Sequence, residues 1–177
     1  MIMNRLFLFL GVIFFISCSD LKKGEQLQSI DQLSATVDSI EVVLIEHHID
    51  TLKQMLDNAK EVQDAIATFH SSDTIPLEFA LRMDEYKLMI QNIPEIELNQ
   101  LTLKNGVTEI RTSLSNLKTD ISNASGEKQK YDEFIAHEKK KLDKLRDVLA
   151  NYDSLRSQLM NHFNELHEEM KEFSAVD

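Results

Sequence analysis

The sequence is poor in the residues that break helices and build turns. Its 177 residues include only four glycines and two prolines, and tryptophan is absent. A chain with so few breakers has few places at which to reverse, so long helices are favoured over a sheet of many short strands. The single cysteine cannot form a disulfide within the chain and needs another role.

The residue patterns that carry most enzymatic chemistry are also missing. The sequence has no glycine-rich phosphate loop and no Gly-x-Ser-x-Gly turn, and its carboxylates are spread along helical segments. It has no Glu-x-x-His, and no two histidines are three or four residues apart, so one helix face cannot hold a metal in the usual way. The sequence therefore predicts a protein that is not an enzyme and that uses no cofactor and no metal.

Negative charge dominates, with 30 acids against 19 bases and a net charge of −11. Such a chain repels phosphate backbones, which excludes nucleic acid as a partner. Five bases are clustered late in the chain, at Lys139, Lys140, Lys141, Lys144 and Arg146. This cluster either complements the acidic first helical segment within the fold or forms a docking patch for an acidic or polyanionic partner.

The amino terminus has the layout of a secretory signal. Arg5 precedes an apolar run at residues 6–16, and small residues follow. The run is too short to cross a hydrocarbon core as a helix, which needs roughly 20 residues. Residues 15–18, Phe-Ile-Ser-Cys, resemble the lipobox at which bacterial lipoproteins are acylated on cysteine and cut just before it.

That resemblance implies a processed and anchored protein. Residues 1–17 would be removed as a signal peptide, Cys18 would carry the lipid, and residues 18–24 would form a polar tether. A membrane would then be a partner through the lipid. The protein would lie in the cell envelope, with the outer membrane favoured, and would face the periplasm or the cell surface. Residues 25–177 resemble no specific family.

Apolar residues alternate three and four apart along the rest of the chain, which is typical of coiled-coil seams. The stripes run from Ile30 to Phe69, from Phe79 to Ala124 and from Tyr131 to Phe173, and the second one steps from Tyr86 to Ile90 and Ile93. The first stripe contains two successive steps of four through His48, a stutter that locally unwinds a supercoil. The stripes predict three helices of nearly equal length, over about 25–71, 77–124 and 127–173.

Matched helices with short joints predict an all-α fold, an elongated up-down-up antiparallel three-helix coiled-coil bundle. Pro94 lies inside the middle helix, where proline removes a hydrogen bond and collides with the preceding turn, so we expect a kink there. Gly126 is expected to cap the middle helix. Because the heptad phase can be followed through Gly126, an uninterrupted helix over about 97–173 is the alternative.

Four Asp-Ser/Thr-apolar triplets resemble an O-glycosylation sequon of some Gram-negative envelope proteins. Such triplets also arise by chance in amphipathic helices. Thr74 is the one credible acceptor among them, because it lies in a predicted loop.

Two functions fit these patterns. We expect a non-enzymatic, lipid-anchored envelope protein that acts as a helical spacer or a protein-interaction module, with an envelope protein as partner and homo-oligomerisation left open. The alternative is a small binding or chaperone-like lipoprotein that holds an apolar ligand or client between its helices. Four methionines would suit such an adaptable groove: Met83, Met89, Met160 and Met170.

Overall fold

The computed structural model describes the backbone of residues 2–47, 49–70 and 75–175, and the side chains from Leu21 onward within those ranges. Across these residues the chain is all-helical and forms the predicted three-helix bundle. Bends divide the first and the middle of its three long helices into two helices each. In chain order the helices are α1 (Ile2–Glu46), α2 (Ile49–Phe69), α3 (Leu77–Gln91), α4 (Ile93–Asn123) and α5 (Tyr131–Ser174), with one 3-10 turn at Lys128–Lys130 before α5.

The chain divides into two compact units. The first unit contains Met1–Glu41 and Asn105–Leu145, and the second contains Val42–Lys104 and Arg146–Asp177. The apolar core of the first unit consists of Ile30, Val37, Ile40, Val107, Ile110, Leu114, Leu117, Ile121, Tyr131, Leu142 and Leu145. The apolar core of the second unit consists of Leu44, Leu52, Ala59, Val62, Ile66, Tyr86, Met89, Ile93, Ile96, Leu103, Tyr152, Leu159, Leu166 and Met170.

All but one of these core residues lie on the predicted apolar stripes. The exception is Met89, which is buried where the sequence pattern pointed to Ile90; Ile90 is only half-buried. With Met89 in the core, the steps from Tyr86 to Ile93 become three and four. The spacing of three and four is kept, and the buried position moves by one residue.

The first predicted helix, over 25–71, is two helices. α1 ends at Glu46 and α2 begins at Ile49, with a bend at His47. The break coincides with the stutter through His48, which itself lies outside the described residues. The Tyr152 hydroxyl of α5 donates a hydrogen bond to the His47 carbonyl at 3.0 Å, so a carbonyl at the helix end is satisfied by a side chain.

The predicted tether over 18–24 is also corrected, because these residues belong to α1. The stretch contains one helix breaker, Gly24, and its lysines bind across to other helices of the first unit. Lys22 forms an ion pair with Asp132 at 2.8 Å, and Lys23 donates a hydrogen bond to the Ser122 carbonyl at 2.7 Å. These contacts give the segment helical neighbours that a free tether would lack.

The middle helix bends at Asn92, two residues before Pro94, so the kink expected there is confirmed. The Asn92 N–H still reaches the carbonyls of Leu88 at 3.2 Å and Met89 at 3.3 Å. The next bond is stretched, since the Ile96 nitrogen lies 3.5 Å from the Asn92 carbonyl. Pro94 falls in the first turn of α4, where a missing N–H costs the helix least.

The chain turns between α4 and α5, so the alternative of an uninterrupted helix over 97–173 is wrong. Gly126 is not the residue that caps α4. Ala124 takes the left-handed conformation just after the helix, with φ 50°. Its N–H bonds to the Ile121 carbonyl at 3.2 Å, and the Ser125 N–H bonds to the Asp120 carbonyl at 2.9 Å. This is the Schellman motif, with alanine where glycine is usual.

None of the helices within the described residues combines the length and the apolar character needed to span a membrane.

Candidate protein-interaction surface

Several residues predicted from the sequence fall where the structure gives no geometry. The side chain of Cys18 and the whole of Thr74 lie outside the described part of the chain, so acylation and glycosylation stay predictions. Among the described residues, no group of three or more His, Cys, Asp and Glu side chains could hold a metal ion.

The predicted basic patch is not a continuous free surface. Lys141 forms ion pairs with Glu109 of α4 at 2.7 Å and with Glu138 at 3.2 Å. The hydrogen bond to Glu109 is the main reason why the pKa of Lys141 is raised. Lys139, Lys140 and Lys144 are exposed on the same unit, whereas Arg146 belongs to the other unit. The patch therefore offers fewer charges to an anionic partner than its sequence suggests.

Three acids of α1 are paired with bases of α4. Arg111 donates to Glu41 at 2.7 Å and to Asp38 at 2.8 Å, and Lys118 pairs with Asp31 at 2.6 Å. The hydrogen bond from Arg111 lowers the pKa of Glu41. These pairs join α1 to α4. Complementarity between the basic cluster and the acidic first segment stays a prediction.

The second unit contains a pocket of about 250 Å³ between α2, α3 and α5. Its lining is mainly apolar and includes two of the four methionines considered for a ligand groove, Met83 and Met170. Met89 is buried in the core instead. The remaining lining residues are Gln63, Ile66, Ala67, His70, Ile75, Asp84, Tyr86 and Lys87.

The inner wall of this pocket has its polar groups already engaged. The Tyr86 hydroxyl lies 2.6 Å from Nδ1 of His167, whose ring stacks on Phe163 with centroids 4.1 Å apart. Burial raises the pKa of Tyr86 and lowers the pKa of His167. These groups hold α3 against α5, and this contact uses the hydroxyl that could otherwise serve a ligand.

Three large apolar side chains of the second unit face solvent from α3. Leu77 is 76 % exposed, and Leu81 and Leu88 are each 57 % exposed. They are four and seven residues apart, which places them on one side of the helix. The other side of α3 carries Tyr86 and Met89 into the core. We call Leu77, Leu81 and Leu88 the α3 leucine face.

The α3 leucine face is bordered by acidic side chains. Glu78, Asp84 and Glu85 are all exposed, and Asp84 lies between Leu81 and Leu88 in the same row. The one arginine of α3 is already paired, since Arg82 forms an ion pair with Glu169 of α5 at 2.5 Å. The exposed surface around these leucines is therefore apolar in the middle and negative at one edge.

Sequence reasoning missed this face because it assigned apolar residues to one core stripe for each helix. The available signal was a second apolar row on α3, with leucines at spacings of four and seven, alongside the core stripe through Phe79, Met83 and Tyr86. A helix that is apolar on two sides either lies deep in a core or has a second partner.

Residues 18–175 match the model of one protein family, Cluap1, described as clusterin-associated protein-1. Neither a curated protein nor a solved structure matches the chain. The interpretation as a bacterial lipoprotein whose remaining residues resemble no family is therefore wrong, because the match begins at residue 18 and covers nearly all the rest. The envelope location and the membrane partner rested on that interpretation and lose their support with it.

Proposed function

The chain belongs to the clusterin-associated protein-1 (Cluap1) family, and from this premise we propose that it is a helical protein-interaction module without catalytic activity. The description of the family names a protein that associates with another protein, which supports a binding role over that of a passive spacer. The observation that carries the proposal is the α3 leucine face, three aligned leucines left in water on a helix whose opposite side is buried.

The alignment matters more than the exposure of any one leucine. Single apolar residues on a surface are normal, whereas apolar residues gathered on one face mark contact sites. Burying a leucine side chain contributes about 1.5–3 kcal/mol relative to leaving it exposed. A partner that covers all three therefore gains binding free energy of a useful size. A spacer would gain nothing from leucine at these positions and would be more soluble with charged residues.

The second candidate is a binding protein for a small apolar ligand, favoured by the pocket that Met83 and Met170 line. Its volume, about 250 Å³, lies just below the ~300–1,000 Å³ typical of small-molecule sites. It has room for one side chain or a small apolar group but not for a client chain. The size of the pocket therefore places this function second.

Photo-cross-linking in the native cell tests the proposal. A photoreactive amino acid at position 81 of the full chain should give adducts with another protein. The same amino acid at position 161, an exposed polar site of the second unit, is the matched control and should give few. Adding Leu77→Ser and Leu88→Ser should remove the adducts from position 81. Equal yields at 81 and 161 would contradict an interaction face on α3.

A further inference from the structure

The leucines of α3 form part of a second heptad row on its outer side. Residues 77, 81, 84 and 88 follow one another at steps of four, three and four, and every one of them is exposed. This is the spacing with which one helix presents a seam to another. Leucine occupies three of the four positions and Asp84 the remaining one. The row therefore fits a partner that is itself a helix, with apolar residues at matching intervals.

The charges next to the row specify what that helix must carry. Glu78 and Glu85 flank the leucines on one side, one heptad apart, and Asp84 lies within the row. The basic residues of α3 balance them only in part, because Arg82 pairs with Glu169 and leaves the exposed Lys87 against three acids. Charges beside a helical seam decide which partners are accepted, since like charges repel and opposite charges attract.

A second copy of this chain is a poor occupant for the same reason. It would bring its own Glu78, Asp84 and Glu85 against those of the first copy, and the whole chain carries a net charge of −11. Both the local and the overall charge oppose that contact. An acidic partner helix would meet the same repulsion.

We propose that the α3 leucine face binds an amphipathic helix whose apolar residues are flanked by lysine or arginine. This inference rests on the proposed function and adds the chemistry of the partner to it. Leucine burial provides most of the affinity, while Glu78, Asp84 and Glu85 select basic helices and speed their association. Because these carboxylates are exposed, the selection weakens as salt rises above about 0.15 M.

Synthetic peptides added to the full chain test the partner chemistry by calorimetry. The first peptide is a helix with leucines at heptad spacing and lysines beside them. A second replaces the lysines with glutamates, and a third keeps the composition of the first in scrambled order. We expect the basic helix to bind on the order of tenfold or more tightly than either of the others. Leu81→Ser with Leu88→Ser should weaken that binding by a similar factor.

Charge reversal separates recognition of this face from general attraction to an acidic protein. Glu78→Lys with Glu85→Lys should reverse the preference, so that the glutamate peptide binds better than the lysine peptide. The matched control is Asp57→Lys with Glu61→Lys, two exposed acids of α2 in the same unit, which changes the net charge equally. This control should leave the preference unchanged. Circular dichroism should show native helix content for all three double variants, since every substituted side chain is exposed.

Three results would overturn the inference. The lysine and glutamate helices could bind equally well, the scrambled peptide could bind as well as the lysine helix, or the leucine variants could bind the lysine helix as tightly as the unaltered chain does. Dimerisation of the chain that the leucine variants abolish would also overturn it, by making a second copy the occupant. Cross-links at position 81 without a preference for basic helices would refute the partner chemistry and leave the proposed function standing. If position 81 gives no cross-links and the chain shows no preference for basic helices, both the proposed function and the partner chemistry are refuted.

Discussion

The two units of this chain hold their helices together in different ways. In the first unit, exposed ion pairs join the helices, with Lys22 bound to Asp132 and Lys118 bound to Asp31 as examples. In the second unit, buried hydroxyls and stacked rings do much of this work, as where Tyr152 bonds to the carbonyl of His47. Exposed ion pairs contribute little and are screened by salt, whereas a buried hydrogen bond is costly to lose. We therefore expect the ion pairs of the first unit to respond to salt, and the second unit to respond to the loss of a buried hydrogen bond.

The helix bends and the surface proposed to bind a partner lie in the same unit. The bends at His47 and Asn92 both lie in the second unit, as does the α3 leucine face. Among the side chains that the structure describes, eight of the ten large apolar ones that face solvent also belong to it. The remaining two, Leu21 and Phe134, lie in the first unit. Within the described residues, the second unit thus combines interrupted helices with most of the exposed large apolar side chains.

The largest effect is expected from Tyr152→Phe in the second unit. The Tyr152 side chain is fully buried, and its hydroxyl is 3.0 Å from the His47 carbonyl. Without it, a half-buried residue at the break between α1 and α2 loses the donor to its carbonyl, which should lower the free energy of unfolding by about 1–3 kcal/mol. Urea denaturation followed by circular dichroism measures this.

Tyr131→Phe in the first unit is the matched control. The Tyr131 hydroxyl also bonds backbone carbonyls, those of Asp120 and Ser125, but both residues are exposed at a turn. Water can replace the lost donor there, so the loss should be smaller than for Tyr152→Phe. An equal or greater loss for Tyr131→Phe would break the contrast between the units.

Acid should weaken the second unit through His167, the next effect in size. Burial behind Tyr86 and Phe163 lowers the pKa of His167 in the folded chain. On acidification, the unfolded chain takes up the proton first, near the ordinary histidine value of about 6.5. The folded chain resists that proton, so the free energy of unfolding falls as pH drops below about 6.5.

His167→Gln removes the titrating ring while keeping a group that can bond the Tyr86 hydroxyl. We expect it to reduce the pH dependence of the free energy of unfolding between pH 7 and pH 5. His137→Gln is the control, since His137 is exposed in the first unit. A His167→Gln variant that keeps the full pH dependence would show that the Tyr86–His167 contact is not its source.

Ala124→Gly should stabilise the first unit by a smaller amount. Ala124 holds φ 50° at the end of α4, and the left-handed conformation costs an L-residue about 1–2 kcal/mol relative to glycine. The added freedom of glycine in the unfolded chain offsets part of this gain, which leaves about 0.5–1 kcal/mol. Thermal unfolding measures the shift. Gly126→Ala should act in the opposite direction, because Gly126 has φ 79°. A drop in stability for Ala124→Gly would contradict the Schellman geometry.

The smallest effect is expected from Arg111→Gln in the first unit. Arg111 binds both Asp38 and Glu41, yet all three side chains are at least two-fifths exposed. Exposed pairs contribute about 0.2–1 kcal/mol, and salt reduces even that. The loss should therefore be measurable at low salt and should nearly vanish at about 1 M salt. A loss above about 2 kcal/mol would contradict the contrast, because the ion pairs of the first unit would then contribute as much free energy as the buried contacts of the second.

The core was predictable from the sequence because heptad spacing alone states which side of each helix is apolar. Met89 departed from the pattern three residues before the bend at Asn92. The cap of α4 was misplaced for a local reason. Glycine is the usual left-handed residue, so the sequence pointed to Gly126, but the hydrogen bonds of Asp120 and Ile121 select Ala124.

The candidate surface was beyond the reach of the same reasoning. A pattern search gives each helix one apolar side and assigns the remaining leucines to it or ignores them. Whether Leu81 is buried or exposed depends on which helices lie beside α3, and that is a property of the tertiary fold. The split of the basic cluster has the same origin, because spacing along α5 cannot reveal that Lys141 reaches Glu109 of α4.

A photo-cross-linking scan along α3 in the native cell tests whether the α3 leucine face binds another protein. The photoreactive amino acid is placed at each exposed position from 77 to 91 in turn, and the yield of adducts with other proteins is measured. We expect yields that rise at 77, 81, 84 and 88 and fall between them, following the heptad row of the α3 leucine face. A flat profile, or one that peaks away from this row, would contradict it.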